Sequence, residues 1–333
     1  MISERDCIKL IQRFASRIKS DYLVKGIADD CAVITKDETN HQLLTTDTLV
    51  EGVHFNLKWH TPYLLGRKSA AVNLSDIAAM GGQPRACLLS VAFPEGVPSW
   101  FEDFMTGFSK VLKEHDTLLV GGDTVKGQRD IVITVTVIGE ADKKNICYRS
   151  GAQPGDMVWV SGPLGNAAAG LSLCQKGLCN LSDPADKWQQ LVKAHLDPVP
   201  LISLGKVLAE SGIVKAMMDI SDGLATDLAH LCTAGGVGAE IEQGLLPVSE
   251  NLEQAAAELM TDAIEWIIKG GEDYELLFTA KSSDELKLRQ HVAELTGREI
   301  YSIGRIIEGQ GVFLCSKNER REISYQGYDH FHG

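Results

Sequence analysis

The familiar glycine-rich phosphate cradles are missing from this 333-residue chain. It contains no GxxxxGK[ST] string, and no GxGxxG follows its first predicted strand. The turn Gly162-Pro163-Leu164-Gly165 is too generic to replace either. Zinc-type cysteine pairing is absent too. Eight cysteines stand at 7, 31, 87, 147, 174, 179, 232 and 315 without a CxxC, which fits reduced cytosolic thiols better than a disulfide framework. No apolar run approaches the roughly 20 residues of a membrane helix. Met1-Ile2-Ser3-Glu4-Arg5-Asp6 reads as the start of a helix rather than a signal peptide. The expectation is a cytoplasmic protein that does not engage a membrane. Positive charge is scarce: 32 Lys and Arg against 45 Asp and Glu leave a formal charge of -13. Without a basic stripe a nucleic-acid surface is disfavoured. Even a nucleotide would be repelled unless metal ions neutralised its pocket.

What the chain does have is carboxylates in turns. They stand in Ala28-Asp29-Asp30-Cys31, Thr45-Thr46-Asp47-Thr48, Asn73-Leu74-Ser75-Asp76, Gly121-Gly122-Asp123-Thr124 and Met218-Asp219-Ile220-Ser221-Asp222-Gly223. Most flank apolar runs, the pattern of strands that stop in a carboxylate at a sheet edge, where loops make sites. Two such charges about 4 Å apart repel by roughly 4 kcal/mol at an effective dielectric near 20. A hard cation relieves this, and all-oxygen ligands select magnesium or calcium. Magnesium in turn suggests a phosphorylated substrate.

Each candidate has an ordinary reading beside the functional one. A lone Asp after a strand is usually a cap or an Asx-turn, and Asp156, after Pro154-Gly155, is read so. The adjacency of Asp29 and Asp30, and the consecutive oxygens of Thr45-Thr46-Asp47, favour metal binding by the set. Arg149 is either a surface salt bridge or a bidentate grip on ATP phosphates. His54 is by default a hydrogen-bonded, partly buried imidazole. Gly270-Gly271-Glu272-Asp273-Tyr274 is a tight turn or, with two acids before Leu276-Leu277-Phe278, a ligand loop; the repeat of the edge pattern favours the loop. Cys31 and Lys68 have no companion at recognisable spacing and are read as structural.

The length suits two α/β or α+β domains, and 44% hydrophobic with 23% charged residues is an ordinary globular balance. Ser3 caps a first helix whose stripe is Cys7, Ile8, Ile11, Phe14, Ala15 and Ile18. Strands are predicted at 31–34, 42–46, 85–93, 117–120 and 131–138, with helices at 62–80 and 99–115. After a turn-rich seam at 150–156 come a strand at 157–161 and helices at 166–176, 200–211, 225–232 and 252–259. Strands follow near Phe278, Ile303 and Val312. Domains are expected at 1–147 and 148–333.

Taken together, these strings resemble the thiamine-monophosphate kinase family of the aminoimidazole-ribonucleotide-synthetase-like superfamily. The carrying segments are residues 26–30, 46–55, 72–81, 121–124, 149–151, 219–223, 270–276 and 327–331, in family order. The resemblance implies a two-domain synthetase-like fold: an N-terminal ferredoxin-like sheet forming a dimeric barrel, and a C-terminal α/β domain completing the cleft. It implies a homodimer that uses ATP and several magnesium ions to phosphorylate thiamine monophosphate. By motif match Asp30, Thr45, Thr46, Asp47, Asp76, Asp123, Asp219 and Asp222 would hold metal. Gly122, Asp123, Arg149 and Ser221 would contact ATP, and His54, Glu272 and Tyr328 the thiamine phosphate. Asp47, Asp123, Asp222 and Arg149 would carry the transfer. Ala28 departs from the family's usual Gly before the paired acids. Alternatives within the superfamily fit less well: a carbamoyl-modification maturase should end in a reactive cysteine, and this chain ends Phe331-His332-Gly333. A selenophosphate synthetase should carry Cys and Lys in a glycine-rich N-terminal segment. A non-catalytic binder of thiamine phosphates is the reading from another class.

Overall fold

Alternation and periodicity build two sheets bridged by one deeply buried helix. The computed structural model describes residues 3–15, 20–179, 183, 185–317 and 319–331. The first sheet comprises β1 (Leu23–Lys25), β2 (Ala32–Thr35), β3 (Asn40–Val50), β4 (Gln83–Phe93), β5 (Leu118–Lys126) and β6 (Val132–Asp142). Its order is β1-β2-β3-β6-β4-β5, antiparallel except for the β4–β5 pair. Strand β6 shows why the sequence takes this form: Ile133, Val135 and Val137 are buried, while Thr134 and Thr136 pair with Thr48 and Thr46 on the other face.

Three helices belong to this half: α1 (Glu4–Phe14), α2 (Pro62–Ala79) and α3 (Phe101–Glu114). The Ser3 hydroxyl accepts from the Asp6 backbone N–H at 3.2 Å, as the capping pattern requires. The predicted apolar stripe of α1 is not packed, however. None of its residues is buried, and Ile11 and Phe14 lie open to solvent; Ile18 falls outside the described residues. Helix α2 is the opposite case. Thr61 caps it, Pro62 opens it, and residues all round it are buried, including Lys68, Ser69, Asn73 and Ser75. A helix apolar on every side belongs inside, and here it runs between the sheets.

The second half contributes β7 (Asp156–Val160), α4 (Asn166–Lys176), α5 (Gln189–Leu196), α6 (Ile202–Glu210), β8 (Val214–Asp219), α7 (Leu224–Gly235) and β9 (Gly238–Glu242). Then come α8 (Glu250–Leu259), α9 (Ala263–Lys269), β10 (Leu276–Lys281), α10 (Glu285–Thr296), β11 (Tyr301–Ile307), β12 (Val312–Cys315) and β13 (Arg320–Glu322). Its sheet runs β13-β12-β9-β11-β7-β10-β8. The mixed α/β expectation holds. Helices α5, α9 and α10 and strands β1, β8, β9 and β13 are not among the elements predicted from sequence; most are short, and β13 is charged.

The halves are not separate bodies. One apolar cluster joins Leu74, Ile77 and Val135 to Leu208, Met217, Trp159 and Phe278. A Cβ on Gly205 would stand 2.1 Å from the Ala78 carbonyl oxygen, so glycine is what lets α6 press against α2. Asp156 takes its predicted turn role, accepting from the Gln153 backbone N–H at 2.9 Å. All eight cysteines are unbridged. No helix among the described residues is long and apolar enough to cross a membrane.

Candidate active site

The carboxylates converge on a cleft of about 640 Å³ between the two sheets. Asp30, Asp76 and Asp219 bring ligand oxygens within 4.8 Å of one another, and Asp47, Asp222, Thr45, Thr46, Arg149 and Ser221 line the same space. The route differs from the edge-of-strand expectation. Only Asp219 ends its strand; Asp47 lies within β3, and Asp76 comes from the helix α2. Asp30 sits in the loop before β2, two residues after Ala28 at φ +99°. Asp76 thus lies on the helix predicted over 62–80, and the burial of α2 carries it into the cleft.

The two consecutive threonines, both in the cleft wall, direct their hydroxyls to different partners. Thr45 donates from its hydroxyl to Asp76, whereas the Thr46 hydroxyl reaches the Val135 carbonyl at 3.1 Å and Thr136 at 3.0 Å. Strand alternation therefore turns the Thr46 hydroxyl towards β6.

The electrostatics are those of a site short of positive charge. Burial pushes the Asp76 carboxyl far up, and Asp47, Asp219 and Asp30 add to it. Asp47 is raised by burial and then by Asp30. Burial and Asp30 push Asp219 up to about 7, with Ser75 and Arg149 offsetting part of the rise. Asp222 is pushed up to about 6 by burial and by Glu4. Arg149 is the nearest cation, its Nη2 2.7 Å from Asp30 Oδ1, while its backbone N–H donates to Asp29 Oδ1 at 3.0 Å. It is a half-buried ion pair, with Asp30 enclosed and Arg149 partly open to the cleft. Asp30 Oδ2 is buried with no hydrogen-bond partner among the described residues. An all-oxygen donor set with an orphaned carboxylate oxygen fits a hard divalent cation such as magnesium.

The expected substrate residues form the rest of the wall. His54 Nδ1 accepts from the Val50 N–H at 3.0 Å, which leaves Nε2 to carry the proton. Its ring lies 5.0 Å from that of His330, which lies 5.0 Å from Tyr328. Glu272, at φ +69°, is 2.7 Å from Lys68 Nζ and 2.8 Å from His195 Nδ1. Lys68 thus has the acidic and histidine companions that its sequence spacing hid.

Gly122 and Asp123 do not join this group within the single chain. Both lie on β5, whose nine residues are all exposed, and neither lines the cleft. A Cβ on Gly122 would sit 1.7 Å from the Leu89 carbonyl oxygen, so the close approach of β4 already requires glycine there. Sequence reasoning also passed over the residues that hold the ligands still. Asn73 Oδ1 accepts from the Asp47 N–H at 2.9 Å, and the Ser75 hydroxyl donates to Asp219 at 2.6 Å. Asp227 accepts from the Asp222 N–H at 3.1 Å. Asn73 and Ser75 stood inside a quoted motif, whereas Asp227 carried no signal.

Known proteins resemble this chain along most of its length. The AIR synthase related protein N-terminal domain matches residues 28–141, and the corresponding C-terminal domain matches residues 153–315. Thiamine-monophosphate kinase of Buchnera aphidicola subsp. Schizaphis graminum is 37% identical over 316 residues, 92% of this chain and 93% of that one. The same enzyme of Escherichia coli (strain K12) is 36% identical over 325 residues, 97% of each. A solved structure, AaThiL complexed with AMPPCP and TMP, superposes with a TM-score of 0.81 at 33% identity and covers 97% of both chains. The chain is an enzyme of the thiamine-monophosphate kinase family.

Proposed function

We propose that the chain transfers the γ-phosphoryl group of ATP directly to the phosphate of thiamine monophosphate, giving thiamine diphosphate. The observation that carries this reading is the convergence of Asp30, Asp76 and Asp219 within 4.8 Å in one cleft with Arg149, Glu272 and Tyr328. A relative at 33% identity was solved with AMPPCP and TMP, which supports the same pair of ligands here.

Both reactants are anions, and the acceptor oxygen already carries charge, so the barrier is repulsion rather than proton removal. Asp30, Asp47, Asp76, Asp219 and Asp222 would hold magnesium ions, which would supply positive charge to offset the repulsion between the two phosphates. Thr45 fixes the Asp76 carboxylate, Asn73 fixes the backbone at Asp47, and Ser75 fixes Asp219. Arg149 adds a guanidinium at the same wall, and the Ser221 hydroxyl lines the floor for the nucleotide. His330 and Tyr328 present flat rings on which a heterocycle stacks, with Glu272 and His54 as polar anchors beside them. Burial and the neighbouring carboxylates push the Cys31 thiol far up, so it supplies no nucleophile and no covalent phospho-enzyme enters the scheme.

In this reading residues 1–147 bind metal and ATP and make the dimer, and residues 148–333 complete the cleft. The homodimer is supported by β5, an edge strand that leaves Leu118 and Val120 more than half exposed. Covering that edge with a second copy takes Asp123 out of bulk water, the condition for it to serve as a ligand. A cytoplasmic setting agrees with eight unbridged cysteines. Calorimetry with thiamine monophosphate, run beside an ADP-release assay, separates enzyme from binder. ADP formed one-for-one with thiamine diphosphate supports transfer; tight binding without ADP would leave a non-catalytic binding protein.

A further inference from the structure

We propose that Lys68 and His195 are positioning residues that clamp Glu272, so that its carboxylate meets an N–H donor of the acceptor substrate in one fixed orientation. The proposal rests on the reading above, in which Glu272 touches the thiamine phosphate.

Lysine is among the residues least often buried, yet Lys68 in the middle of α2 has no exposed surface. Burying an ammonium is costly without a partner. Lys68 Nζ lies 2.7 Å from Glu272 Oε1 and donates to the His54 carbonyl at 3.3 Å. His195, from α5 and equally buried, places Nδ1 2.8 Å from Glu272 Oε2. Each carboxylate oxygen therefore has one buried nitrogen beside it, from two different helices, although the His195 approach lacks hydrogen-bond alignment and leaves both ring nitrogens without a hydrogen bond among the described residues. The two nitrogens confine the carboxylate between them, while part of it still faces the cleft. The backbone is held just as firmly. Glu272 and Tyr274 both adopt positive φ, at +69° and +50°, and their N–H groups donate to Ser221 and Ile220 carbonyls at 2.8 Å. Non-glycine residues in this region carry roughly 1–2 kcal/mol of strain each, and such strain gathers at functional sites.

A purely structural ion pair explains less. Buried pairs are often no better than apolar packing for stability, so two buried nitrogens set against one cleft-facing carboxylate point to a requirement for placement. The groups facing Glu272 are Lys68, His195, His54, His60, Tyr328 and its chain neighbours Asp273 and Tyr274. Burial, aided by Lys68, keeps His195 on the neutral side, and burial pushes the adjacent His60 down to about 2. Although burial alone would raise it, Lys68 and His195 hold the Glu272 carboxyl well below the usual range. The clamp thus keeps an ionised acceptor available over the whole working pH range.

The test uses the full-length chain and compares Michaelis constants for thiamine monophosphate and for ATP between pH 5.5 and 8.5. Glu272→Gln is expected to raise the acceptor KM about tenfold and leave the ATP KM alone. Lys68→Met should raise the acceptor KM similarly at low pH and introduce an ionisation into its profile. That ionisation should vanish in Lys68→Met/Glu272→Gln. A flat profile with wild-type acceptor KM in Lys68→Met overturns the clamp. If Lys68→Met does not fold, His195→Leu and His195→Asn decide: loss in the first and rescue by the second, which keeps a donor at the Nδ1 position, supports positioning, and equal behaviour overturns it. An unchanged acceptor KM in Glu272→Gln instead removes Glu272 from substrate contact, which is failure of the underlying reading rather than of the clamp alone.

Discussion

The Ser75 hydroxyl donates to Asp219 Oδ2 at 2.6 Å and so ties the central helix to the last residue of β8, where the two halves meet. Its partner is pushed up to about 7 and Asp222 to about 6, both chiefly by burial. A carboxyl whose folded pKa is raised binds its proton more tightly folded than unfolded. Its stabilising effect is complete below the unfolded value near 4 and is lost as pH rises through 6 to 7. Metal-free protein should therefore weaken across this window by roughly 2–4 kcal/mol. Magnesium, which favours the ionised form, should remove the loss. Melting curves at pH 5 and pH 8, in EDTA and in magnesium, check this: the gap between the two conditions should widen with pH. A gap that is constant or narrows would count against metal binding by these groups.

Asp47 illustrates a conflict between stability and use. It is buried, and Asp30 raises it further. Asp47→Asn removes one of the mutually repelling charges, so metal-free protein should melt at a higher temperature than wild type. Turnover should nevertheless fall at least about a hundredfold, since charge compensation is the chief catalytic term. Melting in EDTA together with a steady-state rate measures both. Wild-type turnover would take Asp47 out of the mechanism.

Arg149 predicts the reverse sign. Removing it strands Asp30 beside Asp76 and Asp219, an unpaired buried charge worth about 3–5 kcal/mol. Arg149→Ala should lower the metal-free melting temperature and raise the KM for ATP at least about tenfold, while the acceptor KM changes little. Equal stability and unchanged kinetics would show that the ion pair with Asp30 matters to neither.

Ala28 offers a stability gain. At φ +99° its Cβ is held in a region that favours glycine. Ala28→Gly should relieve that strain, less the entropy glycine loses on folding, for a net gain of about 0.5–1 kcal/mol. Urea denaturation would show the shift, and a loss of stability would mean that the turn carries no strain.

Much of the frame was legible because period and patterning are local. The alternation of Ile133, Val135 and Val137 and the helix start at Pro62 need only neighbours in sequence. The site was legible as a set of acids but not as a geometry. Asp30 and Arg149 are 119 residues apart, and nothing in spacing reveals their ion pair. The contact of the Thr46 hydroxyl with Thr136, 90 residues on, is equally hidden from spacing. Lys68 looked structural because its acid and its histidine come from the far half of the chain. Asp123 marks the other limit: in the single chain it stands on an exposed edge strand, away from the cleft that gathers the other carboxylates.

Phosphorus NMR of the wild-type protein with ATP, magnesium and thiamine monophosphate is the most direct measurement. Direct transfer requires the diphosphate signals of thiamine diphosphate to grow in step with ADP, and to stay absent when EDTA replaces magnesium. Unchanged ATP in the presence of magnesium, or its hydrolysis to inorganic phosphate while thiamine monophosphate persists, would contradict a cleft built for phosphoryl transfer between these two anions.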